Sequence, residues 1–181
     1  INRSYWKRLE LGEISKSQVL IGRFREFFES EGLDVGCAEA FNEAYQVSLG
    51  DTIVYRDDSL EIIKSLRGKV KQYAVSNGTV IAQTKKLRVS GLGELMDGVF
   101  LSEQLGVEKP NVEFFDKVFA AIGQTDKSEI MIVGDSLSSD IKGGNNAGIK
   151  TCWYNQAKAP VSEEFTIDCE IIDLHQVYNI I

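Results

Sequence analysis

Ile130-Met131-Ile132-Val133-Gly134-Asp135-Ser136-Leu137-Ser138-Ser139-Asp140 is the stretch on which the reading of this chain turns. Four consecutive apolar residues predict a strand over Ile130–Val133 that is buried on both faces, because a strand with one wet face would alternate apolar and polar positions. Asp135 then leaves the carboxyl end of that strand, and Asp140 follows five residues later, near the start of a helix predicted over Ser138–Ala147. Asp140 could serve simply as a helix cap. Asp135 has no such explanation, since capping does not require a carboxylate immediately behind an apolar strand. Paired carboxylates at a strand end are hard oxygen ligands of the kind Mg²⁺ selects, and that ion keeps several waters and completes its shell with substrate phosphate.

The pattern around this stretch sets the fold class. After Asp51, short apolar runs alternate with amphipathic helices. Strands are predicted at Val70–Val75, Val99–Leu101, Ile130–Val133, Lys150–Tyr154 and Cys169–Ile172, with helices at Thr79–Val89, Val112–Ile122 and Ser138–Ala147. Such alternation predicts an α/β fold, a Rossmann-like parallel sheet with helices on both faces. Before Asp51 every periodic segment is helical. Val19, Leu20, Phe24, Phe27 and Phe28 mark one face of a helix within Ser15–Gly32, and Ala38–Leu49 repeats the spacing. The expected division is a small all-helical cap at 1–52 and an α/β core at 53–181.

Ligands of open parallel sheets bind beyond the carboxyl ends of the strands, so two further strand ends matter. Tyr73-Ala74-Val75-Ser76-Asn77-Gly78-Thr79 offers a hydroxyl, an amide and a glycine, then a helix start whose unpaired N–H groups suit a phosphate; an ordinary capping turn would read the same way. Val107-Glu108-Lys109-Pro110 places a cation just before a helix, with Pro110 expected in the first helical turn. A lysine there opposes the helix dipole, so it is either a solvated surface group or one neutralised by an anion or carboxylate.

Composition narrows the function classes. The chain has 181 residues, 43% hydrophobic and 26% charged, with a net charge of -7. Such an acidic surface repels nucleic acid and anionic lipid, so neither is an expected partner, whereas a small phosphorylated metabolite fits a locally positive pocket. No apolar run approaches the roughly 18–20 residues that span a bilayer. Cys37, Cys152 and Cys169 lack metal-ligand spacing and read as reduced thiols of a cytoplasmic protein. His175, Trp6, Tyr45 and the Phe24–Phe28 cluster read as surface or packing residues, and so do Trp153 and Tyr154. Oligomeric state is not set by the sequence, although a weak homo-oligomer is compatible with it.

In order, Ser-Asn-Gly, Lys-Pro and Gly-Asp-Ser-x-x-x-Asp resemble the second, third and fourth motifs of the haloacid dehalogenase-like superfamily. The continuation from Gly143-Gly144-Asn145-Asn146-Ala147-Gly148 to Thr151-Cys152-Trp153-Tyr154-Asn155 is similar to its pyrimidine 5′-nucleotidase branch. The resemblance implies a Mg²⁺-dependent phosphatase of small phosphate monoesters, nucleoside 5′-monophosphates foremost, that works through an aspartyl-phosphate intermediate. It implies that Ser76, Asn77 and Gly78 bind the phosphoryl group, that Lys109 holds the nucleophilic carboxylate and neutralises phosphate charge, and that Asp135 ligates Mg²⁺ with Asp140 in support. Dehalogenases of the same superfamily need no metal and place no acid where Asp135 stands. A phosphoglucomutase-type phosphotransferase and a non-catalytic phosphate-metabolite-binding module are also compatible with the motifs.

One departure from the pattern bears on activity. The superfamily's first motif, Asp-x-Asp-x-Thr behind an apolar strand, occurs nowhere in these 181 residues. The chain opens without Met, and Ser4–Leu11 already reads as the middle of a helix. The resemblance places the nucleophile on a first strand at the sheet's centre, between the strands ending at Ser76 and Asp135, so the expectation is a front segment of about 40 residues outside the chain. The residues present are then expected to be inactive by themselves, because covalent catalysis needs the nucleophile.

Overall fold

A computed structural model describes residues 1–161 and 164–181. The first 51 residues are helical. Helix α1 (Asn2–Glu10) packs on α2 (Lys16–Ser30), and α3 (Ala38–Asp51) packs on α2. Ser15 starts α2 through a capping box, its Oγ accepting from the Gln18 backbone N–H while the Gln18 side chain accepts from the Ser15 N–H. Gly32, at φ 67°, lets the chain leave α2 in a left-handed conformation. Gly22 permits the close approach of α1, since a Cβ there would lie 2.7 Å from the Tyr5 ring. Phe24, Phe28, Phe41 and Tyr45 stack edge-to-face between α2 and α3, which explains the aromatic clustering as packing.

Helix α4 (Ser59–Leu66) leads into two parallel sheets. Strand β1 (Tyr73–Ser76) pairs with β2 (Gly98–Leu101), and β3 (Met131–Gly134) pairs with β4 (Lys150–Tyr154), which pairs with β5 (Cys169–Ile171). Helix α5 (Val80–Ser90) connects β1 to β2, and a single turn, α6 (Ser102–Leu105), precedes the longer α7 (Val112–Ile122) on the way to β3. Among the described residues no ladder joins β1 to β3. The two half-sheets are held together by α7, whose Phe114, Phe115, Val118 and Phe119 form the main core with Ile132 of β3, while Val75 and Phe100 of β1 and β2 pack against the same cluster. Each of these aromatic side chains contributes about 2–3 kcal/mol by leaving water, so α7 is the apolar joint between the halves. On the other side, α5 packs closely against α3, where the Thr79 hydroxyl donates to Gln46 Oε1 at 2.7 Å in a buried contact.

Boundaries differ from expectation in three informative places. β1 begins at Tyr73 rather than Val70, because the Lys71 ammonium and the Gln72 N–H are both taken by the Asp97 carboxylate before the ladder starts. Pro110 does not enter the first helical turn. It lies two residues ahead of α7, whose cap is Asn111, with Oδ1 accepting from the Glu113 N–H at 3.0 Å. The helix expected over Ser138–Ala147 is a π-helical turn, Leu137–Ile141, followed by α8 (Lys142–Ala147). The wide turn folds Asp140 back over Gly134, where any Cβ would collide with the Asp140 side chain.

Candidate active site

A cavity of about 460 Å³ lies between β1 and β3 and runs along the whole of β1 to the carboxyl ends of both strands. Its lining includes Ser76 and Asn77 from the end of β1, Lys109 from the loop before α7, Asp135 from the end of β3, and Ser139 and Asp140 from the π-helical turn. Residues of all three stretches singled out in the sequence therefore line one cavity, but only two of the stretches are strand ends: Lys109, expected at a third, lies eight residues beyond β2, after α6. Gly78 lies in the same turn as Ser76, and a Cβ there would require the Gln83 side chain to shift.

Lys109 is not a surface lysine. It is only 5% exposed, and its ammonium donates to Asp140 Oδ1 at 2.5 Å and to the Val75 carbonyl at 3.2 Å. Asp140 is 8% exposed, and its second oxygen, Oδ2, accepts from the Ser136 N–H at 3.1 Å. Removing either partner would leave the other charge buried and unpaired, which is why such pairs are expensive to break. The lysine's unfavourable place ahead of a helix is thus explained by a carboxylate 31 residues away.

Asp135 behaves differently. It is exposed to the cavity, and its carboxylate makes no hydrogen bond or ion pair among the described residues. Its carbonyl accepts from Trp153 Nε1 at 3.1 Å, which pins the backbone at the strand end. Asp135 is therefore held in position with its oxygens uncommitted, and Asp140 is committed to its neighbours. A cation with few protein ligands and many waters matches one uncommitted carboxylate supported by a second. Among the described residues no cluster of three or more His, Cys, Asp or Glu exists that would favour a fully protein-coordinated ion.

Ser76 Oγ accepts from the Gly78 N–H at 3.0 Å, so its own hydroxyl proton is available to a ligand. Asn77, expected beside it as a phosphate ligand, is instead engaged by Lys109 and Ser139. Its Nδ2 donates to the Lys109 carbonyl at 2.8 Å and to Ser139 Oγ at 3.3 Å, while Oδ1 accepts from the Lys109 N–H at 2.9 Å.

Several groups at the site were not singled out in the sequence. Glu10, at the end of α1, accepts from the hydroxyls of Ser136 and Ser138. Burial pushes its carboxyl above the usual range; the Ser138 bond opposes this and Asp140 adds to it. Lys16 reaches across from α2 to Ser102 Oγ at 2.6 Å and to Glu108 at 3.3 Å. Trp153, read as packing, is buried at 3% exposure but also carries the bond to Asp135. The serines of Ser136-x-Ser138-Ser139 were the available signal; nothing local marks Glu10 or Lys16, whose partners lie about 90 to 130 residues away.

The sequence pattern of the haloacid dehalogenase-like hydrolases matches residues 2–148. The HAD-hydrolase YfnB of Bacillus subtilis is 34% identical over the whole chain, which spans 77% of it. Pyrimidine 5′-nucleotidase PynA of Streptococcus pneumoniae is 37% identical over 86% of the chain, which spans only 65% of that relative. Pyrimidine 5′-nucleotidase YjjG of Escherichia coli is 29% identical over the whole chain, which spans 79% of it. The solved structure of magnesium-bound YfnB superimposes with a TM-score of 0.92 at 33% identity, covering 99% of this chain and 78% of that one. The L-2-haloacid dehalogenase of Xanthobacter autotrophicus shares the fold, with a TM-score of 0.74 at 16% identity, covering 98% of this chain and 80% of that one. The chain belongs to the haloacid dehalogenase-like hydrolase family.

Proposed function

We propose that the chain supplies the phosphate- and metal-binding side of a Mg²⁺-dependent phosphatase of small phosphate monoesters, with nucleoside 5′-monophosphates as its preferred class. The observation that carries this reading is the convergence of Ser76, Lys109, Asp135 and Asp140 on one cavity at the strand ends. Phosphoryl transfer needs positioning and charge neutralisation more than it needs covalent chemistry from many groups. Ser76 donates its hydroxyl proton to a phosphoryl oxygen. Lys109, fixed by Asp140 and Val75, offsets negative charge as it gathers on the transferring group. Asp135 would hold Mg²⁺ directly with Asp140 in support, and the ion would supply charge neutralisation at the phosphoryl oxygens.

The nucleophile is an aspartate on a segment outside residues 1–181, seated in the cleft between β1 and β3. Its carboxylate attacks phosphorus, the ester oxygen leaves and takes up a proton, and water then cleaves the aspartyl phosphate to regenerate the acid and release phosphate. The nucleotide preference is supported by the pyrimidine 5′-nucleotidases of Streptococcus pneumoniae and Escherichia coli. Cys37, Cys152 and Cys169 are free thiols, which accords with a reducing, cytoplasmic location. Among the described residues no helix is long and apolar enough to cross a membrane.

Phosphate release from uridine and cytidine 5′-monophosphates by the full-length protein tests the reading. Turnover with Mg²⁺, lost on chelation and absent from the 181-residue chain alone, is expected. Phosphate-ester binding without hydrolysis would replace the phosphatase with a binding module, and metal-independent release of halide from haloacids would replace it with a dehalogenase.

A further inference from the structure

We propose that Asn77 is a positioning residue that sets the register of Lys109, rather than a phosphate ligand. The inference rests on the reading of Lys109 as the site's phosphate-facing cation. Both backbone groups of Lys109 are paired by one side chain: its N–H donates to Asn77 Oδ1 at 2.9 Å, and its carbonyl accepts from Asn77 Nδ2 at 2.8 Å. The second Nδ2 proton reaches Ser139 Oγ at 3.3 Å. A primary amide has two N–H donors, so the Asn77 side chain has neither left for a phosphoryl oxygen.

The placement matters because three separate elements meet there. Asn77 follows β1, Lys109 lies on the loop before α7, and Ser139 belongs to the π-helical turn that carries Asp140. This one amide therefore bridges the end of β1, the loop before α7 and the π-helical turn. Lys109 is consequently fixed at both ends, its backbone by Asn77 and its ammonium by Val75 and Asp140. Without the amide, the ammonium would still find Asp140, but the backbone behind it would be free to shift. Displacements of about 1 Å in a catalytic group cost on the order of 100-fold in rate.

Two measurements on the full-length protein test this. In a double-mutant cycle, Asn77→Ala is expected to lower kcat by about 10- to 100-fold with little change in KM, and to have almost no further effect in a Lys109→Ala background. Inhibition by inorganic phosphate should stay within about twofold of the wild type, because no phosphate contact is removed. Losses that add in the cycle, together with weakened phosphate inhibition, would make Asn77 a direct ligand and overturn the proposal. The second measurement needs no activity: amide hydrogen exchange at Lys109 should accelerate at least about 10-fold in Asn77→Ala while amides of α7 stay protected. Unchanged protection at Lys109 sinks the proposal even if the protein hydrolyses phosphate esters. Accelerated exchange in a protein that hydrolyses nothing upholds the clamp while the phosphatase reading falls. Should Asn77→Ala not fold, Asn77→Leu, close to the amide in size, loses the acceptor for the Lys109 N–H and both donors, and it is expected to give the same cycle and the same exchange result.

Discussion

Strand β4 and strand β3 are neighbours in one sheet, yet they are buried to different degrees. Thr151, Cys152 and Trp153 of β4 are buried between β3 and β5, whereas Val133 of β3 is 43% exposed although it belongs to a continuous apolar run. β1 shows the same half-burial along its whole length. The two strands that border the cleft are apolar in sequence yet only partly covered by the described residues, which join them through side chains rather than a shared ladder. Below the cleft, the aromatic face of α7 touches both halves; at the rim, the Lys109–Asp140 pair and the Asn77 amide tie them. Apolar sequence therefore marks these strands as interior, while their burial depends on what lies alongside them.

That contrast can be broken most forcefully at the rim. Asp140→Asn leaves the Lys109 ammonium buried without its counter-charge, a loss of about 3–5 kcal/mol. For a domain of this size that lowers Tm by about 10 °C. A loss of under about 1 kcal/mol in a denaturant titration would show that the pair does not tie the halves. Next in size is a comparison of adjacent residues of β3. Ile132→Ala, on the α7 side, is expected to cost about 2–5 kcal/mol, and Val133→Ala, on the cleft side, less than about 1 kcal/mol. Equal costs in the 181-residue chain would mean that the cleft is closed in solution. In a longer protein with a strand seated between β1 and β3, the Val133 cost should rise towards the interior value, which makes the pair a direct assay for that strand.

The smallest effect belongs to Glu10. Burial raises its carboxyl in the folded state, so folding favours the protonated form, and the stability withheld by the charged form grows as pH rises from the unfolded value of 4.5 through the raised folded value. Glu10→Gln removes that penalty. Its Tm should exceed the wild type's by about 1–2 °C at pH 7, and the gap should close below the unfolded value. A wild type more stable than the variant at pH 7 would show that the bonds to Ser136 and Ser138 outweigh the burial.

Much of the fold could be read from periodicity. Val112–Ile122 and Lys150–Tyr154 coincide with the observed helix and strand, because an apolar stripe or a continuous apolar run is a local property that needs no partner to be seen. Two of the three site stretches were readable as strand ends, which parallel sheets gather on one edge, whereas Lys109 stands on the loop between α6 and α7. Two of the three expectations that shifted involve long-range partners, and the third turns on a residue next door. Val70–Gln72 leave the strand because Asp97 captures Lys71 and Gln72, Pro110 stands outside its helix behind the Asn111 cap, and the Asp140 helix opens into a π-turn because Asp140 answers to Lys109.

From sequence alone came the α/β alternation, the helical front, and the candidate residues Ser76, Lys109, Asp135 and Asp140, because each rests on spacing within a dozen residues. Tertiary structure alone decided that Lys109 is buried against Asp140, that Asp135 stays uncommitted, that Asn77 is spent on Lys109, and that Glu10 reaches the rim from the front helix. These outcomes depend on contacts between groups 31 to 128 residues apart. Which of several chemically suitable partners a side chain meets is set by how the packed elements close on one another, and no local pattern records that closure.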